Sequence, residues 1–396
     1  MKGYVKNVVA IVIGCLFALI LLFVFVILFA KSGIILKGSQ ITSITSLKED
    51  PLVGYTYNPN IDLILQMGDK GEHTVHINNI GFRGHDYNFE EDIKSRRNRI
   101  MVLGDSFTFG SGVWTTFSDH MGDMLNNRDN SAIVYNFGLP GYSSHNQLGV
   151  LRKYGESVKP KIVVIAFYLG NDFRENLVPI SDTKIVNGYL VNNTVCWADK
   201  KTTLSGEELK KYSDIAVRYR LSAHSMMQII KVDKFGSDMT FIERTVRQLA
   251  INFPQIKFYT DFVKQKLSVR TMEGLHITTS AYYNVSDEEM EITKKYLYEI
   301  KSECQEIKAN LIVAIIPEHL GNYDNQLKRE TITGILKQLN IQHYIDLFPL
   351  LKKDMDRYYL KSDDHLSQSG HAVVAECIVA YIQKHNLLEK ILPKID

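Results

Sequence analysis

The longest apolar run comes first. From Val8 to Ala30, 23 consecutive positions are uncharged and almost wholly apolar. As a helix rising about 1.5 Å per residue, this run reaches roughly 35 Å, enough to cross a bilayer. It is too long for the apolar segment of a cleaved signal peptide, which runs about 7–15 residues. Leu28-Phe29-Ala30 also lacks the small-x-small pattern of a cleavage site. Val12-Ile13-Gly14-Cys15 has the outline of a lipoprotein processing box, but the apolar run continues past Cys15, where a mature lipoprotein would turn polar. The expectation is an uncleaved signal anchor over residues 1–31. The flanking charges, Lys2 and Lys6 before and Lys31 and Lys37 after, nearly balance. Large C-terminal domains translocate largely regardless of such charges, which favours a periplasmic or extracellular main domain on a single-pass anchor.

Residues 32–97 are polar, turn-rich and broken into short alternating pieces. Leu52 to Tyr57 and His73 to Ile77 read as strands, with Gly68 to Gly71 as a turn between them. From Asn98 the pattern changes. Short, fully apolar runs at Ile100–Leu103, Ile133–Phe137, Ile162–Tyr168, Leu311–Ile316 and Ile341–Ile345 read as strands. Helical spacings lie between or after them at Phe117–Leu125, Ser144–Tyr154, Asp287–Ile307, Asn325–Leu339 and Ser367–Lys384. Continuous apolar strands alternating with helices predict a parallel sheet covered on both faces. The alternation lapses between about 178 and 286. There a variable stretch and two or more helices are expected, one of them after the capping-box form Ser205-Gly-Glu-Glu208. This insertion reads equally as a lid or acceptor-binding element and as a helical elaboration that only packs.

Composition narrows the picture less than pattern does. A net charge of +2 supplies no field for nucleic acid. Cys15, Cys196, Cys304 and Cys377 are too few and scattered to fix a redox compartment. No His/Cys cluster, H-E-x-x-H or Walker-type loop is present, so neither a metal nor a cofactor is expected. The Gly-rich stretch Gly104–Gly112 follows a strand, yet its spacing does not fit G-x-G-x-x-G. Asn192-Asn193-Thr194 and Asn284-Val285-Ser286 match glycosylation sequons, which matter only in a secreted eukaryotic setting.

Asn98 to Gly112, NRIMVLGDSFTFGSG, carries the candidate chemistry. An apolar strand ending at a small turn with one Ser hydroxyl is a way to present a nucleophile. Gly104 to Gly110, GDSFTFG, resembles the first sequence block of the SGNH, or GDSL-type, hydrolases. Asn136 to Ser143 resembles the second block, Gly170-Asn171-Asp172 the third, and Asp363-Asp364-His365-Leu366-Ser367 with Gly370-His371 the last. The blocks occur in the family's order across residues 98 to about 385. Asn79-Ile80-Gly81-Phe82-Arg83 further resembles an element of a bacterial subgroup that is membrane-attached or exported and associated with surface polysaccharide.

The resemblance implies a three-layer α/β fold, flavodoxin-like, here with an N-terminal transmembrane helix and a helical insertion. It divides the chain into an anchor (1–31), a small β-rich extension (32–97) and a hydrolase-like domain (98–390). It also implies roles. Ser106 is the nucleophile, and His365 takes its proton and returns it to the leaving group. An acid fixes the imidazole tautomer. The commoner family spacing puts that acid three residues before the His, where Ser362 stands. Asp363, two residues before, is the favoured acid and Asp364 the alternative. The N–H groups of Ser106 and Gly138 and the Asn171 side chain form the implied oxyanion hole. Asp105 reads as a turn-stabilising acceptor, and His371 as a packing or capping residue. The implied activity is hydrolysis or transfer of acyl esters, acetyl foremost, on a surface glycan. A non-catalytic glycan-binding protein on the same fold is the alternative, and the filled catalytic positions weigh against it.

Overall fold

A computed structural model describes residues 46–66, 71–126, 131–178, 183–187, 189–197, 200–219, 226, 230–231, 233–235, 285–319, 322–361 and 364–388. The run Val8–Ala30 lies outside these residues, as do Gly68–Lys70 of the expected turn, Ser362, Asp363 and most of the later insertion. No helix among the described residues is long and apolar enough to cross a membrane.

Two antiparallel hairpins lead in: β1 (Leu47–Asp50) with β2 (Gly54–Tyr57), and β3 (Ile61–Gln66) with β4 (Glu72–Ile77). The chain continues through α1 (Phe89–Lys94), β5 (Asn98–Gly104), α2 (Ser106–Phe109), α3 (Phe117–Asn126), β6 (Ala132–Gly138), α4 (Ser144–Val158), β7 (Ile162–Tyr168) and α5 (Asp172–Glu175). The insertion supplies β8 (Thr183–Val186), β9 (Tyr189–Asn192), β10 (Thr194–Trp197), β11 (Lys200–Thr203) and α6 (Gly206–Tyr219). Then come α7 (Asp287–Glu306), β12 (Asn310–Ile316), α8 (Asn322–Gln338), β13 (His343–Asp346), α9 (Phe348–Leu351), α10 (Met355–Tyr358) and α11 (Gln368–Lys384).

The five apolar runs form one parallel sheet in the order β13-β12-β7-β5-β6. Its strand residues alternate between two cores. Met101, Leu103, Val163, Ile165, Val313 and Ile315 pack with residues of α4, α7 and α8. Their neighbours Ile100, Val102, Ile162, Val164, Ile312 and Ala314 pack with residues of α3 and α11. Apolar side chains on both faces explain why these strands read as unbroken hydrophobic runs. The result is the expected three-layer α/β sandwich. The strand order doubles back between β5 and β7, and at such a switch point the carboxyl ends of the strands open a crevice that ligands use.

Helix ends follow the local sequence. Ser286 caps α7, its hydroxyl accepting from Glu289 N at 3.2 Å while Glu289 Oε2 accepts from Ser286 N at 2.8 Å. Ser205 and Glu208 make the same reciprocal pair ahead of α6. Ser367 caps α11, its hydroxyl accepting from Gly370 N.

The β-rich extension is joined to the hydrolase-like part by shared core. Val53, Tyr55, Phe82 and Tyr87 belong to the same buried cluster as the sheet. Tyr55 donates to the Pro140 carbonyl at 2.6 Å, and Asn146 Nδ2 donates to the Val53 carbonyl at 2.8 Å.

The insertion begins with two hairpins, β8–β9 and β10–β11, where helices and a variable stretch were expected. Their strands carry charged and polar residues, such as Lys200-Lys201-Thr202-Thr203, with no clean period of two. A small separate core of Val191, Val195, Leu204, Leu209, Tyr212, Met226, Ile230 and Phe235 serves this region. The buried Asn176 amide donates to Thr293 Oγ1 of α7 at 2.9 Å and accepts from Ser144 N at 2.9 Å.

Candidate active site

Gly104 ends β5 and pairs in register with Gly138 at the end of β6. A Cβ on Gly104 would stand 2.1 Å from Thr108 Oγ1, and one on Gly138 would stand 2.3 Å from Phe109 N. Two side-chain-free positions side by side therefore let the single turn of α2 lie directly across the strand ends. Asp105 caps that turn, its Oδ1 accepting from Phe107 N at 2.8 Å, as its sequence position suggested. Ser106 then falls at the first helical position, where a backbone N–H has no intrahelical partner.

His365 arrives from the far end of the chain. Its Nε2 lies 2.7 Å from Ser106 Oγ, although the two residues are 259 positions apart. The loop carrying it is closed at its base by the Tyr359–Leu366 bridge and by Leu360 N donating to the His365 carbonyl at 2.8 Å. The imidazole packs on Phe107, ring centroids 5.0 Å apart, and Phe107 packs on Tyr168 at 4.0 Å. Ser106, His365 and Asn171 are each half-buried, so the pair is supported from within and open to a substrate.

Asn171 follows β7, the sheet neighbour of β5, and stands at the N-cap position of α5 without capping it through its side chain. Its side chain reaches the carboxyl of Asp105, the residue before the nucleophile, and holds that carboxyl's pKa down against burial. Thus the amide lies at the same edge of the sheet as Ser106. Burial nonetheless dominates at Asp105, whose pKa is raised. It dominates also at Asp172 and Glu175, both raised, Glu175 to about 8.

The Gly138 N–H donates to Oδ1 of Asn136, two residues earlier, at 2.9 Å. The Asn136 side chain folds back along the strand end to make this bond. Asp363 lies outside the described residues. The alternative acid, Asp364, is exposed and sits 3.8 Å from His319 Nδ1. His371 is fully buried. Its Nδ1 accepts from Phe117 N at 3.0 Å and burial lowers its pKa to about 3, so it packs as a neutral imidazole.

Two residues that positioning depends on were not singled out individually by the sequence. Arg83 is buried and donates to four carbonyls that follow the nucleophile turn: Phe109 (3.1 Å), Gly110 (2.7 Å), Val113 (2.9 Å) and Trp114 (2.7 Å). Desolvation lowers its pKa to about 10, partly offset by Asp119. Gln368, three residues after His365, holds the same loop from the other side by accepting from Trp114 N and Thr115 N and donating to the Thr115 carbonyl. The only signal for Arg83 was its place in Asn79-Ile80-Gly81-Phe82-Arg83; nothing marked Gln368.

No family model matches the chain, and a search of curated proteins finds no match. Solved structures give distant likenesses. A lipase/acylhydrolase from Enterococcus faecalis is 14% identical, with 75% of this chain and 100% of that chain covered and a TM-score of 0.39. An acetylxylan esterase from Geobacillus stearothermophilus is 11% identical, with 75% and 97% covered and a TM-score of 0.37. A lipolytic protein of the G-D-S-L family from Desulfitobacterium hafniense is 12% identical, with 72% and 99% covered and a TM-score of 0.37. Likenesses this remote assign no reaction.

Proposed function

We propose that the chain is a serine-dependent ester hydrolase or O-acyl transferase of the SGNH type. The observation that carries this reading is the 2.7 Å contact between Ser106 Oγ and His365 Nε2 at the carboxyl edge of the sheet. In the proposed reaction His365 accepts the hydroxyl proton as Ser106 attacks the acyl carbonyl. The Ser106 N–H and the Asn171 amide take the negative charge that develops on the carbonyl oxygen. Collapse expels the alcohol, which recovers the proton from His365, and leaves the acyl group on Ser106. Water then releases the acid, or a sugar hydroxyl carries the acyl group away, again with His365 as base. Asp363 is the proposed acid that orients His365.

The Ser-to-His order of the four sequence blocks supports the family. The Asn79–Arg83 element and the run Val8–Ala30 support a membrane-attached protein acting outside the cytoplasm on a surface polysaccharide, with acetyl as the acyl group. The insertion over 178–286 is the proposed acceptor-binding element.

Intact-mass measurement after treatment with a serine-directed phosphonate tests the reading. One adduct on Ser106 is expected in the wild type and none in Ser106→Ala. A wild type that takes up no phosphonate and turns over no short-chain ester would overturn it.

A further inference from the structure

Trp114 is one of two tryptophans in the chain, and 37% of it is exposed. Leaving so large an apolar side chain partly in water forgoes stabilisation that full burial would give. Its backbone, however, is held from both sides. The Trp114 carbonyl accepts from Arg83 at 2.7 Å, and its N–H donates to Gln368 Oε1 at 3.1 Å. The ring is thus presented to solvent from a segment that is already ordered.

The fold brings this ring to the reaction centre. Ser111 N donates to the Ser106 carbonyl at 3.0 Å, and three residues of chain, at most about 11 Å, lead from there to Trp114. Gly112, at φ +81°, lies against Leu360, whose N–H donates to the His365 carbonyl. The Trp114 loop therefore touches both the nucleophile turn and the His365 loop. From the other side comes the β3–β4 hairpin. His73, Val75 and Ile77 alternate onto one face of β4. Val75 and Ile77 pack with Phe109 of the nucleophile turn. His73, next toward the hairpin tip, meets the Trp114 ring with centroids 5.6 Å apart and planes at 64°. At that angle the two rings form a corner instead of covering each other.

Such a corner suits a sugar. An acyl chain calls for an enclosed apolar slot, and a charged headgroup for opposite charges. A pyranose with equatorial hydroxyls has flat faces of axial C–H groups, which lie on an indole, and a rim of hydroxyls, with which an imidazole nitrogen can exchange a hydrogen bond. An aromatic ring on an ordered loop makes these contacts at small entropic cost.

We propose that Trp114 and His73 form the subsite for the sugar that bears the ester, the indole stacking on a pyranose face and the imidazole binding a ring hydroxyl. The inference rests on the ester-hydrolase reading and deepens it. Through β4, the β-rich extension supplies one wall of the substrate site and selects glycan esters over simple ones.

Two esters separate recognition from chemistry: partially O-acetylated cellohexaose, and p-nitrophenyl acetate, which has no sugar. In the full-length protein, Trp114→Ala is expected to lower the ratio of their kcat/KM values roughly tenfold or more, chiefly through KM for the sugar ester, as truncation of a central aromatic anchor does. His73→Ala is expected to lower the ratio about threefold, the size of one exposed hydrogen bond. Trp114→Phe, which keeps a ring face, is expected to recover most of the ratio. Equal losses on both esters, or a Phe variant as impaired as the Ala variant, would overturn the proposal. Binding is read apart from turnover in Trp197→Phe, where Trp114 is the one remaining tryptophan. Cellohexaose without acetyl groups is expected to shift its emission to the blue and to saturate, because stacking strips water from the indole. The same titration with His73→Ala added is expected to need more sugar. Protein that labels at Ser106 but shows no shift overturns this inference alone. A wild type that neither labels nor turns over ester overturns the enzyme reading, and the inference falls with it.

Discussion

Ser106→Ala is expected to lower ester turnover by a factor on the order of 10⁵ or more, and His365→Ala by a similar factor. The hydroxyl and the imidazole meet at 2.7 Å and act as one unit, the base useful only through the nucleophile it deprotonates. The double variant is therefore expected to be no slower than either single one. Additive losses would show that the two residues serve separate steps. The same series tests the acid. Asp363→Asn is expected to cost roughly 10⁴-fold by leaving the imidazole in the wrong tautomer. Asp364→Asn, whose carboxylate is exposed and faces His319, is expected to stay within about threefold of wild type. Steady-state kinetics decides between them, and a large loss confined to the Asp364 variant would reassign the acid.

Arg83→Met is expected to destabilise the fold by about 3–5 kcal/mol. The guanidinium supplies donors to four carbonyls between Phe109 and Trp114, of which, among the described hydrogen bonds, only that of Gly110 has another donor, Val113 N at 3.3 Å. Arg83→Lys is expected to recover only part of the loss, because an ammonium point charge cannot span the same fork. The loop concerned directly follows the nucleophile turn, so activity is expected to fall at temperatures where the variant is still folded. Denaturant unfolding with activity measured in parallel checks both statements. A loss below about 1 kcal/mol would mean that water replaces the guanidinium and that Arg83 is dispensable.

Legibility in the sequence tracked burial pattern. The five sheet strands announced themselves because their apolar residues face two cores at once, and the observed boundaries lie within two residues of the expected ones. Strand β1, Leu47-Lys48-Glu49-Asp50, announced nothing. It exists because β2 pairs with it, a tertiary circumstance that local preference does not encode. The hairpins of the insertion were missed for the same reason. At the site, the Ser106–His365 contact was legible through motif order. The hydrogen bond from Gly138 N to Asn136 was not, since it turns on which way the Asn136 side chain folds. Glu175 was equally hidden. An acidic residue one turn into Asn-Asp-Phe-Arg-Glu reads as a solvated helix start, and only the packed structure seals its Oε2 from water.

Asn176 bears on how such a site can change its clientele. Its side chain joins Ser144 at the start of α4 to Thr293 of α7, two residues before the insertion begins and seven after it ends. Loop-closure entropy grows only with the logarithm of length, about 0.6 kcal/mol per doubling. A clasp at the root of the segment over 178–286 lets its length change at small entropic cost. The segment can lengthen, shorten or be exchanged while β5, β7 and the His365 loop keep their register. Chemistry would then stay with the sheet, while the proposed acceptor-binding segment could drift at the end of one asparagine clasp.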